Sequence, residues 1–148
     1  MPIEGEYAPS PSGWVREQVE RYESSGGREG TTLRDSGLPV VVVTMRGRRT
    51  GKVRKDPVMR VEHGGEYAIV ASKGGAPEHP AWYWNLVAHP DEVSIQDGSE
   101  VFDVSVHEAD GEERELWWAR AVEAYPEYEQ YQTKTTRRIP VFVATRKA

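Results

Sequence analysis

The residues of this chain best equipped for chemistry are cations held close together. The stretch Arg46-Gly-Arg-Arg-Thr-Gly-Lys-Val-Arg-Lys55 places six of the nineteen Lys and Arg residues in ten positions, against a formal net charge of −5. Like charges at this density repel one another, so the stretch is suited either to meeting an anion or to staying in water. Arg48 and Arg49 offer planar forks for bidentate contact with phosphate or carboxylate, and Lys52, Arg54 and Lys55 add point charges. Gly47 and Gly51 allow backbone N–H groups to approach an anion closely. On charge density alone, a solvated hairpin tip accounts for the same residues equally well.

Two further segments carry chemistry-bearing side chains. In Ala71-Ser-Lys-Gly-Gly-Ala-Pro-Glu-His-Pro-Ala-Trp82, Ser72 and Lys73 leave a strand and a Gly-Gly turn follows. Trp82 and Asn85 are three residues apart, near one helical face, where a flat heterocycle could stack and have its edge hydrogen-bonded. A plain connecting loop with Trp82 in the core is the alternative. In Tyr125-Pro-Glu-Tyr128-Glu-Gln-Tyr131, three phenols at spacing three share one face of a turn restarted by Pro126. Such a ladder beside a cavity could orient and protonate an acceptor, whereas ordinary packing would leave the hydroxyls in solvent.

Other chemistries are excluded by what is missing. The chain has no cysteine, so thiolate, disulfide and Cys-zinc chemistry are closed to it. Gly47 and Gly51 are separated by three residues rather than four, and Val53 stands where a P-loop needs Ser or Thr. No G-x-G-x-x-G follows a strand and no G-x-S-x-G elbow is present. His63, His79, His89 and His107 lack metal-ligand spacing, so no metal is expected. A pI of 5.4 argues against nucleic-acid partners. No apolar run reaches the roughly 20 residues of a membrane span, and MPIEGEYAPSPSG is unlike a secretory signal. A soluble cytoplasmic protein is expected.

These side chains need elements to position them. At 148 residues the chain can bury roughly 70% of its unfolded surface in one core. Residues 1–12 read as a loose arm, and Ser12 as the N-cap of a helix with Trp14, Val15, Gln18, Val19 and Tyr22 on one face. Gly26-Gly27 ends that helix, and a polar linker runs from Arg28 to Gly37. Val40 to Met45 reads as a strand buried on both faces. A Pro57-led strand to Glu62 and Tyr67–Ala71 flank a Gly64-Gly65 turn, and Val93–Gln96 and Val101–His107 flank Asp97-Gly98. Ile139 to Thr145 is a last strand. Helices are expected from Pro80 to His89 and from Asp110, capped with Glu113, to Ala124. The expectation is an α+β domain: a six-stranded, mostly antiparallel split β-barrel with three to four helices. The arm and first helix occupy residues 1–37 and the barrel residues 38–148, as one domain overall.

Taken in order, G-R-R-T-G-K-x-R before a Pro-led strand, A-S-K-G-G-A-P-x-H-P-x-W-Y-x-N-L, then Y-P-x-Y-x-x-Y and I-P-V resemble the deazaflavin-dependent nitroreductase and quinone reductase family. The likeness covers Val40 to Ala144. It implies a split β-barrel related to flavin-mononucleotide-binding oxidoreductases, and binding of coenzyme F-420, an 8-hydroxy-5-deazaflavin with a phospholactyl-oligoglutamate tail. By motif position, Arg48, Arg49, Thr50, Lys52, Arg54 and Lys55 would hold that tail. Asp56, Pro57, Val58 and Met59 would line the cofactor, and Val70, Ala71, Ser72 and Lys73 would follow its ring. Ala81, Trp82, Tyr83, Trp84 and Asn85 would close the site. Tyr125, Tyr128 and Tyr131 match the family's substrate-side tyrosines, with Tyr128 also close to the cofactor. Ser72 and Tyr128 are the candidates for orienting the acceptor or delivering a proton. The implied activity is hydride transfer from reduced coenzyme F-420 to quinones or nitroaromatics.

Two alternatives stand beside this one: a flavin-mononucleotide (FMN) oxidoreductase on the same barrel, and a non-catalytic cofactor- or lipid-binding barrel. The resemblance leaves open a monomer or a homodimer. It also leaves open a cytoplasmic enzyme either free or in peripheral contact with a membrane to reach quinones.

Overall fold

Four consecutive valines dictate the central strand. In β1 (Val40–Arg46), Val40 and Val42 enter one core with Val19, Tyr22 and Trp117, while Val41, Val43 and Met45 enter a second with Ile69, Leu86 and Ile95. A strand that is apolar on both sides has to sit inside the fold. The structure, a computed structural model, describes residues 3–33 and 37–147. The other strands are β2 (Val53–Met59), β3 (Glu62–His63), β4 (Glu66–Val70), β5 (Val93–Asp97), β6 (Glu100–Glu108) and β7 (Val141–Arg146). They form one sheet in the order β2-β1-β5-β6-β7-β4-β3, with every neighbouring pair antiparallel. β2 touches β4 although four strands lie between them in that order, so the sheet curls into a half-barrel with an open seam.

Seven strands are described rather than the six expected. Pro57 does not lead its strand but lies within β2, paired with Val42. A missing N–H is tolerated there because β2 is an edge strand. The chain then breaks at Arg60 and Val61, whose backbones bond to Pro39 and Ala68, before β3 begins. The two-residue turns behave as their glycines require: Gly64, Gly65 and Gly98 all have positive φ.

The described residues form four α-helices: α1 (Gly13–Ser24), α2 (Ala81–Ala88), α3 (Gly111–Ala124) and α4 (Glu127–Thr133). α1 is pinned to the barrel by Tyr22, whose hydroxyl accepts from Gly98 N at 2.7 Å and donates to Val40 O at 3.3 Å. A Cβ on Gly27 would lie 1.9 Å from Gly98 O, so that contact tolerates only glycine. Two expected caps do not form. Ser12 and Asp110 make no side-chain cap hydrogen bond, and Glu113 instead sits 2.8 Å from His107 Nε2 on β6. The arm is not loose over residues 6–8. It runs parallel to β2, with Val53 N donating to Glu6 O and Ala8 N donating to Val53 O, and so covers an otherwise bare sheet edge.

Candidate functional site

The open seam holds a cleft of about 810 Å³ that wraps around the edge strand β2. Strand alternation sends successive β2 residues to opposite sides, so Lys55, Pro57 and Met59 share a face with Val40, Val42 and Thr44. Arg54, Lys55, Asp56, Pro57, Val58 and Met59 all line the cleft. Val70, Ser72 and Lys73 line it from the end of β4 and the 3-10 turn that follows. From α2 come Ala81, Trp82 and Asn85, and from the α3–α4 junction Tyr125, Tyr128 and Tyr131. Three segments far apart in sequence therefore meet around one space.

Seven of the expected residues lie outside the lining. Arg48 stands just beyond it: its N–H donates to Asn85 Oδ1 at 2.9 Å, and its guanidinium lies 5.8 Å from the Trp84 ring centre. Arg49 is exposed and without a partner among the described residues. Thr50 shapes the turn, its Oγ1 accepting from Lys52 N at 3.1 Å. Ala71 is fully buried behind Ser72. Tyr83 turns away, stacked on His79 and donating to Glu108 Oε1 at 2.8 Å; burial, helped by that hydrogen bond, pushes its phenol up to about 12. Trp84 is exposed, and Lys52 is taken up by an ion pair.

Ion pairing sorts the basic stretch into two groups. Arg46 pairs with Glu92 at 2.8 Å, Lys52 with Glu6 at 2.7 Å, and Lys55 with Glu23 of α1. Arg48, Arg49 and Arg54 have no carboxylate partner among the described residues. Arginines without a salt bridge beside a cleft are suited to capturing phosphate or carboxylate. Asp56 is the exception to this positive field. It has no hydrogen-bond partner among the described residues, and burial pushes its carboxyl up to about 7 while the charge of Arg54 opposes the shift. A protonated Asp56 does not repel an anion.

The tyrosines form a triangle rather than a ladder. Ring centres lie 5.0 Å apart for Tyr125–Tyr128, 5.9 Å for Tyr125–Tyr131 and 6.2 Å for Tyr128–Tyr131. The Tyr125 and Tyr131 hydroxyls meet at 2.9 Å, and both donate to Glu127 Oε2, at 2.8 and 3.2 Å. Burial pushes the Tyr125 and Tyr128 phenols well above their usual range, so both remain protonated donors at neutral pH. Ser72 and Tyr128 are buried, yet their hydroxyls have no protein partner among the described residues. Because both line the cleft, a bound molecule or water has to satisfy them.

Two contributions to the site lie outside the motif segments. Ala8, Ser10, Pro11, Ser12, Trp14 and Val15 bring the N-terminal segment to the mouth. Arg137 shapes the Ser72 turn from 65 residues away, which no local pattern could reveal.

The comparisons with known proteins come from three sides. The family model described as F420H(2)-dependent quinone reductase matches residues 14–146. A Mycobacterium tuberculosis protein (strain H37Rv) named F420H(2)-dependent quinone reductase is 36% identical over 129 residues, covering 85% of each chain. A solved structure of an F420-H2 dependent reductase (FDR-A) is 56% identical with a TM-score of 0.69, covering 72% of this chain and 94% of that one. Another, described as a domain-swapped dimer, is 53% identical with a TM-score of 0.71, covering 92% of this chain and 100% of that one. The family match spans the edge strand, the Ser72 turn and the tyrosine triangle, and this chain belongs to the F420H(2)-dependent quinone reductase family and is an F-420-dependent oxidoreductase.

Proposed function

We propose that this cleft binds reduced coenzyme F-420 beside an oxidised acceptor, with quinones and nitroaromatics as the acceptor class. The observation that carries the reading is one cleft of about 810 Å³ lined by Arg54 and by the phenols of Tyr125, Tyr128 and Tyr131, with Arg48 just beyond it on Asn85. The residues fit the group: an apolar slot for a flat ring, uncompensated cations for a phosphodiester and glutamates, and two hydroxyls without protein partners.

When bound, reduced coenzyme F-420 supplies the hydride. Arg48, Arg49 and Arg54 would hold the anionic tail, with Thr50 shaping their turn. Lys52 and Lys55 would join them by exchanging Glu6 and Glu23 for the tail. Asp56 to Met59 on one side, with Val70, Ala71, Ser72 and Lys73 on the other, would hold the ring, and Ala81, Trp82 and Asn85 would close over it. Tyr83 and Trp84 contribute indirectly, by fixing α2 and Arg48. Tyr125, Tyr128 and Tyr131 would orient the acceptor. Reduction of a quinone to a quinol takes up a hydride and a proton, and Tyr128 or Ser72 would hydrogen-bond the oxygen that gains the proton. Residues 8–15 wall the mouth, so the segment up to residue 37 and the barrel from 38 onward act as one unit.

The test is titration with oxidised and reduced coenzyme F-420, followed by stopped-flow oxidation. Micromolar binding, with oxidation only when menadione or a nitroaromatic is added, is expected. Absence of binding at low salt would remove the proposal. A yellow protein from a host lacking F-420 would favour FMN, although three arginines without a salt bridge exceed what a single phosphate needs.

The setting we propose is the cytoplasm, with lipophilic quinones met at a membrane surface. Trp84, 44% exposed beside Arg48, and Val87, 49% exposed on the same helix, support that contact, and co-sedimentation with anionic vesicles tests it. The domain-swapped relative supports a homodimer, to be checked by light scattering.

A further inference from the structure

The turn carrying Ser72 cannot hold its own shape. Lys73, Gly74 and Gly75 have φ of 46°, 63° and 83°, three successive residues in the left-handed region, one of them not glycine. Two glycines give little stiffness, so the conformation has to be imposed from outside. One side chain does much of this. Arg137, in the segment between α4 and β7, donates from Nε to Ala76 O at 2.9 Å, from Nη1 to Ala71 O at 3.2 Å and from Nη2 to Ser72 O at 2.8 Å. Its Nη1 also lies 3.0 Å from His79 Nδ1, which must be the acceptor because a guanidinium only donates. Four contacts from one planar group thus span residues 71 to 79, the whole passage from β4 to α2.

The Arg137 backbone belongs mechanically to the tyrosine helix. Gln132 of α4 donates to Arg137 O at 2.8 Å and accepts from Ile139 N at 3.0 Å. Gly75 packs directly on α4, where a Cβ would come within 2.6 Å of Tyr131 O. His79 in turn stacks on Tyr83 of α2, with ring centres 4.1 Å apart. Arg137 itself is not among the residues lining the cleft.

We infer that Arg137 is a positioning residue: it locks the Ser72 turn to the tyrosine helix, so that the two walls of the cleft keep one fixed separation. This rests on the proposed function for its consequence in turnover, but not for its structural content. A lysine cannot substitute, because an ammonium is a point donor and cannot reach three carbonyls in a plane.

The test uses the full chain with Arg137→Lys and Arg137→Ala. Without cofactor, amide exchange is expected to speed at least tenfold at Gly75 and Ala76, whose N–H groups bond to Ser72 O and Lys73 O, with β5 and β6 unchanged. With reduced coenzyme F-420 and menadione, kcat is expected to fall at least tenfold in both variants while KM for menadione moves less than threefold. Added guanidinium should recover part of the kcat of Arg137→Ala. Should Arg137→Ala not fold, Arg137→Lys carries the same readouts. Unchanged exchange at Gly75 and Ala76 would overturn the positioning role. Faster exchange with unchanged kcat would overturn its relevance to the reaction. Failure of the wild type to bind coenzyme F-420 would sink the proposed function and leave the exchange readout standing.

Discussion

Asp56→Asn is the substitution on which the electrostatics of the cleft can be judged. Asp56 pairs with Val43 in the register of β1 and β2, lines the cleft and has no hydrogen-bond partner among the described residues. Burial raises its carboxyl from 3.8 to about 7, with the nearby charge of Arg54 working in the opposite direction. The folded chain therefore keeps this proton to higher pH than the unfolded chain does. Stability from this group is fully present below about pH 4 and is lost as pH rises through about 7. Between pH 5 and pH 8 the loss comes to about 2–3 kcal/mol at roughly 1.36 kcal/mol per pH unit over the titrating range. Asparagine keeps the shape and removes the proton equilibrium. Urea unfolding of both proteins at pH 5, 6, 7 and 8 should show the variant gaining about 2–3 kcal/mol relative to wild type across that range. Other titrating groups cancel in the difference. Curves that run parallel from pH 5 to 8 would refute a buried carboxyl titrating near neutrality. The same substitution should flatten the pH dependence of coenzyme F-420 binding, because an ionised Asp56 opposes an anionic ligand and a neutral one does not.

Four further outcomes follow from the site. Arg48→Ala should weaken coenzyme F-420 binding about tenfold at low salt, as loss of one charge-assisted hydrogen bond would, and less at high salt. Lys52→Ala, whose charge Glu6 already neutralises, should weaken it by less than about threefold in the same fluorescence titration. Tyr128→Phe removes a hydroxyl that bonds no protein group, so thermal unfolding should register less than about 0.5 kcal/mol, while kcat should drop more than cofactor affinity. The reverse order of effects would undo its assignment to the acceptor side. Gly75→Ala forces a Cβ within 2.6 Å of Tyr131 O at a φ of 83° and should cost about 2–4 kcal/mol by chemical denaturation. A neutral result there would mean that the turn and α4 are not in rigid contact.

What could be read from the sequence is what neighbouring residues settle among themselves. The valine run of β1 dictates burial on both faces, Gly64-Gly65 and Gly98 dictate their hairpins through positive φ, and Pro126 divides α3 from α4. The three motif segments likewise announce themselves, because phosphate-binding forks, a Gly-Gly turn and spaced phenols are properties of a few adjacent side chains. Pairing between distant segments left no such trace. Lys55 and Glu23 are 32 residues apart, and Arg137 and Ser72 are 65, so only folding decided which cations were neutralised and which loop was clamped. Tertiary competition also overrode local preference. Glu113 answered His107 instead of capping its own helix, and the arm joined β2 because an open sheet edge offers hydrogen bonds that a short polar segment cannot supply to itself. The basic stretch shows both sides of this. Its charge was plain from composition, but three acidic partners on distant segments left Arg48, Arg49 and Arg54 as the cations without a salt bridge among the described residues.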